Sequence, residues 1–376
     1  MQSSGPMNIL RAGGRLNTVV NILVIILVFG IIIMIHELGH FLMCRWTGIG
    51  VTEFAIGMGP CIFKTKRGET QYSIRCLPIG GYCMMLGEDE EGNEDPRAFS
   101  NKSIWARIAV IIGGPLFNFI LAFIASVVLI GMAGYLTGEI NYVAEDSAAQ
   151  EAGLKEGDVI TRLNQTKVYD FRDVTIYTQF YSSDDPIAIT IERDGAEKTI
   201  QVVPKYNKDL NRYQIGISGG YHYDASTGYY ERTKANLWTN LKYSALEVRY
   251  WIKTTFISLK QLILGKVGVN QVSGVVGVAD MMNDTMQEAK ETGGIYTVVL
   301  NVINFVILIS ANLGIMNLLP FPALDGGRLL FLLVELITGK AVPKDKEAFV
   351  HGIGFVLLCI LMILFSFKYF RNLFIK

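Results

Sequence analysis

Four apolar stretches of this chain are long enough to cross a bilayer, and the first carries His36-Glu37-Leu38-Gly39-His40 inside it. A hydrocarbon core takes about 20 apolar residues in helical form. The run from Val19 to Cys44 would be about 39 Å long at 1.5 Å per residue, enough to span with some tilt. On a helix, residues at i and i+4 share a face, so His36 and His40 can both reach one metal ion, with Glu37 beside it. That geometry is suited to zinc hydrolysis. An ionisable residue inside a membrane helix costs roughly 2.5–3.5 kcal/mol on insertion scales, so three within five positions imply a purpose, against the bland reading of satisfied core histidines.

Composition agrees with a membrane protein. The 376 residues are 51% hydrophobic and only 18% charged, with a mean hydropathy of +0.34. With 34 basic and 34 acidic residues the formal charge is zero, which excludes an electrostatic case for nucleic acid. The five cysteines, Cys44, Cys61, Cys76, Cys83 and Cys359, have neither disulfide-framework nor zinc-ribbon spacing, so reduced thiols are expected. The first apolar run is longer than a signal-peptide core and holds the motif, so it is expected to remain in the mature protein. Residues 1–6, ahead of Met7, are either native or an appended stretch.

Between the first two spans, residues 47–104 are punctuated by glycines and short alternating segments such as Gln71-Tyr72-Ser73-Ile74-Arg75, which predict strands and hairpins. A sheet at membrane depth must be buried in protein or line a wet cavity; the other reading is a loop in water. The acidic run 88–95 reads as a solvated loop. The second span, 105–137, is interrupted by Gly113-Gly114-Pro115 with Asn118 following, either a packing kink or a direct role for Asn118. Residues 138–224 are polar and resemble a single bacterial-protease PDZ domain. A short helix from Ser147, a strand near Val159, a helix over 171–181 and strands 187–192 and 198–203 around Arg193-Asp194-Gly195 carry that likeness. Such a domain implies either a groove for an extended peptide or a spacer limiting access.

Residues 225–292 read as an amphipathic helix, 237–263, and a linker. The third span, 293–328, ends in Asn317-Leu318-Leu319-Pro320-Phe321-Pro322-Ala323-Leu324-Asp325-Gly326, where the helix must open. A short helix and loop over 329–349 and a fourth span over 350–370 complete the chain. A catalytic zinc usually takes three protein ligands and leaves a fourth position to water. His222 and His351 are poorly placed for the third, and Asp325 fits either as that ligand or as a helix N-cap.

His36-Glu37-Leu38-Gly39-His40, Gly113-Gly114-Pro115 with Asn118, the PDZ segment and Asn317-x-x-Pro320-x-Pro322-x-Leu324-Asp325-Gly326 occur in an order that resembles the site-2 protease family of intramembrane zinc metalloproteases, in its bacterial regulator-of-sigma-factor branch. The resemblance implies an α-helical polytopic membrane fold with four transmembrane helices, a membrane-associated β-hairpin region and one α+β PDZ domain. It implies Zn2+ on His36, His40 and Asp325, Glu37 as general base, and Asn317 and Asn118 as groups holding substrate. It implies that the hairpin at Gly80–Glu88, with Tyr82 and Met84, pairs with substrate as an added strand. Substrates would be single-pass transmembrane proteins, such as anti-sigma factors or signal-peptide remnants. The location implied is the bacterial cytoplasmic membrane, with the PDZ domain outside and the active site towards the cytoplasm. Cys83-Met84 stands where the family often has Val-Lys, and the segment 273–277 lacks a frequent proline. A non-proteolytic metal-dependent scaffold is the alternative of a different class. Peptidases with the same motif that use Glu as third ligand are disfavoured by Leu324-Asp325-Gly326.

Overall fold

The computed structural model describes residues 7–88, 93–208, 212–224, 229–266 and 274–374. Residues 89–92 of the acidic run 88–95 therefore lie outside the described residues, as does residue 273 of the 273–277 segment. Two compact units divide the chain, one made of 1–125 and 251–376, the other of 126–250.

The first unit is built on α1 (Met7–Thr47), the hairpin strands β1 (Val51–Arg67) and β2 (Thr70–Met85), and most of α2 (Ile104–Ala133). Four helices among the described residues are long and apolar enough to cross a membrane: Val19–Thr47, Ile104–Ala133, Val276–Leu318 and Lys344–Ile363. α1 begins at Met7, so most of the expected N-terminal segment 1–15 is helix. α2 is not interrupted at Gly113-Gly114-Pro115 as expected; it runs through Pro115, because a proline in a long apolar helix removes one backbone hydrogen bond without forcing the chain to turn.

β1 and β2 are too long to stay flat, and each folds over on itself. Residues 51–56 of β1 pair with 81–85 of β2 on one side and with 71–74 on the other, while 61–67 pair with 70–75. The result is a four-ribbon sheet with 81–85 at its edge. Gly57 at φ +85° and Gly80 at φ +88° make the bends, a backbone region that side chains rarely adopt. Phe54, Cys83 and Met85 bury against Cys44 and Ile49, which fixes this sheet to the end of α1.

The second unit opens with β3 (Ile140–Val143) and holds a four-stranded antiparallel sheet in the order β5-β4-β6-β7, made from β4 (Val159–Leu163), β5 (Thr166–Lys167), β6 (Ile187–Arg193) and β7 (Ala196–Val202). The helices α3 (Ala148–Glu151) and α4 (Phe171–Gln179) lie between these strands in sequence. β8 (Lys205–Asn207) pairs with β9 (Arg212–Gln214), β10 (Ile217–Gly219) with β3, and β11 (His222–Asp224) with β12 (Tyr229–Glu231). Ile160, Leu163, Ile187, Ile189 and Ile191 are fully buried and form one core with Val174 and Phe171. Helices and strands thus share one core in this α+β unit. Asp158 is 1% exposed and held by Arg193 at 2.6 and 2.7 Å, so its charge is paired where water cannot reach it.

α5 (Leu237–Ile263) is the amphipathic helix the apolar spacing predicts. The linker expected up to residue 292 is partly helical, since α6 (Val275–Leu318) starts there and bends at Gly294. Met282 and Met286 from this added part bury against Ile25, Val28 and Ile32 of α1 with Phe305, which explains why a polar-looking stretch is held as helix. Asn21 and Asn283 hydrogen-bond across the same contact at 2.9 Å. α7 (Asp325–Thr338) begins four residues earlier than the expected helix, and α8 (Lys344–Phe374) starts inside the expected loop.

Candidate metal centre

The centre forms where α1 and α2 cross. A β-carbon added to Gly39 would stand 2.3 Å from the Gly113 carbonyl oxygen, so the two helices touch backbone to backbone there. His36 and His40 flank Gly39 on α1 and are 6% and 5% exposed. Their Nε2 atoms are 3.2 Å apart and their rings are edge to face, with an interplanar angle of 88°.

Asp325 comes to the same point from the opened end of α6. Leu324 is the N-cap of α7 and makes no side-chain cap bond; Asp325 is the first residue of the helix, so the N-cap reading of Asp325 is corrected. Its Oδ2 lies 3.1 Å from His36 Nε2 and 3.4 Å from His40 Nε2. Tetrahedral zinc with bonds of about 2.0–2.1 Å needs donors about 3.3 Å apart. The three edges observed, 3.2, 3.1 and 3.4 Å, match that requirement. Asp325 Oδ2 is buried and has no hydrogen-bond donor, a cost that a cation at this point would remove. Among the described residues this is the one group of three such side chains able to hold a metal ion.

The imidazoles are held from behind. His40 Nδ1 lies 2.9 Å from the Val110 carbonyl of α2, which accepts its N–H and leaves Nε2 with a lone pair directed at the centre. His36 Nδ1 lies 3.1 Å from the amide of Asn118, which is fully buried. Asn317 approaches the other side of the same ring, its amide 3.3 Å from His36 Nε2.

Glu37 faces the edge ribbon of the sheet. A β-carbon on Gly81 would be 3.4 Å from Glu37 Cγ, and the Cys83 backbone N–H donates to the Glu37 carboxylate. Tyr82 is half-buried, its hydroxyl taking a hydrogen bond from Arg75, while Met84 is 49% exposed. The geometry thus gathers His36, Glu37, His40, Asn118, Asn317 and Asp325 at one point, with Tyr82 and Met84 on the neighbouring strand. Sequence reasoning missed Gly114 as a contact: a β-carbon there would lie 2.3 Å from His40 Nε2. The Gly-Gly pair was the available signal. It also missed the network of Glu53 with Ser73 and Arg75, which no motif announces.

His222 belongs to the second unit, where it meets Glu139. His351 is not among the candidate ligands; it bonds the loop that precedes Asp325.

The family description "Peptidase family M50" matches residues 24–361 of the chain. A Clostridium acetobutylicum relative is 40% identical over 93% of this chain and 96% of its own length. The regulator of sigma-W protease RasP of Bacillus subtilis is 31% identical over 94% of this chain and 99% of its own. Among solved structures, the PDZ domain of an SdrC-like protein from Listeria innocua is 21% identical, covering 23% of this chain and 96% of that one with a TM-score of 0.21. Together with the membrane helices, the family match and the two relatives mean that the chain belongs to peptidase family M50, the site-2 protease family, and is a bacterial-type membrane zinc metalloprotease.

Proposed function

We propose that this protein hydrolyses peptide bonds within the transmembrane segments of single-pass membrane proteins, with His36, His40 and Asp325 holding the zinc and Glu37 acting as general base. The observation that carries the reading is the donor triangle with edges of 3.1–3.4 Å and Glu37 on the adjoining position of the same helix. Zinc bound there would polarise the scissile carbonyl and acidify water. Glu37 takes the proton of the attacking water and passes it to the leaving nitrogen. Val110 and Asn118 hold the two imidazoles, and Asn317 reaches the cleft between His36 and substrate.

A helical substrate hides its amides in i to i−4 hydrogen bonds and must unwind before attack. The 81–85 ribbon pairs with 51–56 on one side only among the described residues, so an unwound substrate can add to it as a further strand, guided by Tyr82 and Met84. The Bacillus subtilis relative is named for regulation of sigma-W, which points to anti-sigma factors as substrates, with signal-peptide remnants as a second class. In this reading the PDZ unit lies outside the cell, where it takes an extended peptide or restricts access, and the centre lies towards the cytoplasm.

The test is cleavage of a panel of single-pass transmembrane peptides by wild type and Glu37→Gln, with zinc counted in both. Cleavage by wild type alone at equal zinc supports the assignment. Equal cleavage by both removes Glu37 as base, and bound zinc without any cleavage favours a scaffold.

A further inference from the structure

The segment that delivers Asp325 is held in an unfavourable conformation, and the fourth membrane helix holds it. Ala323 sits at φ +75°, in the left-handed region. That conformation is unfavourable for an L-residue and persists only where neighbours enforce it. The Ala323 backbone N–H donates to Nδ1 of His351 on α8 at 2.8 Å. One turn further along α8, a β-carbon on Gly354 would stand 2.4 Å from Pro322 Cβ and 2.5 Å from the Pro322 carbonyl oxygen. Gly354 is the one buried residue among those of α8 whose burial is described, while its neighbours Ile353 and Phe355 are 55% and 62% exposed. The docking of α8 is therefore concentrated on the two residues immediately before Leu324-Asp325. The His351 ring is itself steadied by Phe331 of α7, at 5.7 Å between ring centres.

We propose that His351 is a positioning residue for the zinc site: by accepting the Ala323 N–H it fixes the backbone turn that places Oδ2 of Asp325 against the two histidines. It touches neither metal nor substrate. The role requires a lone pair at Nδ1 and therefore the tautomer protonated at Nε2. The inference rests on the assignment of His36, His40 and Asp325 as zinc ligands.

The test compares His351→Asn with His351→Gln in the full chain in detergent. Asn places its Oδ1 where the histidine Nδ1 stands, whereas the Gln oxygen lies one bond further out; both are polar and can accept a hydrogen bond. The readouts are zinc loss to a chelator and the visible spectrum of the cobalt-substituted protein, which reports ligand geometry. We expect His351→Asn to stay near wild type in both. His351→Gln should lose zinc about 10–100-fold faster, the usual effect of removing a group that orients a ligand, and should show an altered cobalt spectrum. If the two variants behave alike, whether both near wild type or both impaired, the positioning role is overturned. If wild type holds no zinc that His40→Ala removes, the ligand assignment itself has failed, a separate and distinguishable result.

Discussion

A β-carbon placed on Gly114 of α2 would lie 2.3 Å from Nε2 of His40 on α1 and 2.7 Å from Cε1 of His36. The two motifs are separated by more than 70 residues in sequence, yet each is cut to the other: Gly39 meets Gly113, and Gly114 makes room for both imidazoles. Gly114→Ala must therefore displace a candidate ligand, since the neighbouring atoms belong to rings already fixed at Nδ1. Overpacking a tight interior costs about 1–3 kcal/mol. We expect zinc affinity to fall about tenfold or more, read by metal content after dialysis against graded chelator. Gly352→Ala, where an added carbon meets nothing within 4 Å, should leave zinc content unchanged.

Proline within the edge ribbon tests strand addition. Cys83→Pro removes the N–H that faces Glu37, and Tyr82→Pro or Met84→Pro breaks the ribbon on either side. Each lost strand hydrogen bond is worth about 0.5–1.5 kcal/mol, so two together lower cleavage of a transmembrane substrate about tenfold or more. Zinc content should stay normal, because the ribbon contributes no candidate ligand. Undiminished cleavage in all three variants would remove the strand-pairing step.

The membrane spans and the donor types were legible because each rests on a strong local rule. Uncharged runs of span length have few alternatives, and two histidines at i and i+4 share a face whatever surrounds them. The bending of β1 and β2 into four ribbons was not legible, since pairing of 51–56 with both 71–74 and 81–85 depends on contacts far apart in sequence. Nor was the helical start of α6: residues 275–293 look polar, and Met282 and Met286 gain their meaning only against α1. Ala323 in the left-handed region is the clearest case, because nothing in Pro-Ala-Leu announces it and the histidine that enforces it lies 28 residues away.

The hairpin should loosen in acid through Glu53. Burial alone raises its pKa, but hydrogen bonds from Ser73, Arg75 and Tyr82 outweigh that and bring it from the ordinary 4.5 down to about 2. Ser73 Oγ donates at 2.5 Å and Arg75 Nη2 at 2.9 Å. The unfolded hairpin thus binds the proton more readily than the folded one. Its contribution is complete above pH 4.5 and is lost as pH falls towards 2. Amide hydrogen exchange in 71–74 and 82–85 should accelerate over that window relative to the intrinsic rate. Glu53→Gln should flatten the dependence, and an unchanged profile in the variant would show that another group controls it.

The orientation is decided by labelling, because charge alone argues weakly. Lys64, Lys66, Arg67, Arg75, Arg97 and Lys102 lie between the first two spans, with Arg45 and Arg107 at their facing ends, while Arg11, Arg15, Lys368, Arg371 and Lys376 flank the two ends of the chain. The excess is slight, and the rule counts only positive residues near span ends. Glu156 lies exposed in the second unit, and a cysteine there avoids the strained position of Asp146 nearby. With the second unit outside, Glu156→Cys reacts with an impermeant thiol reagent in intact cells. The native exposed cysteines Cys61 and Cys76 of the hairpin then react only after permeabilisation. The reverse pattern would put the second unit in the cytoplasm. It would also require substrates to present their cleavage sites from the opposite face, because Glu37 and the 81–85 ribbon lie together on the hairpin side of α1.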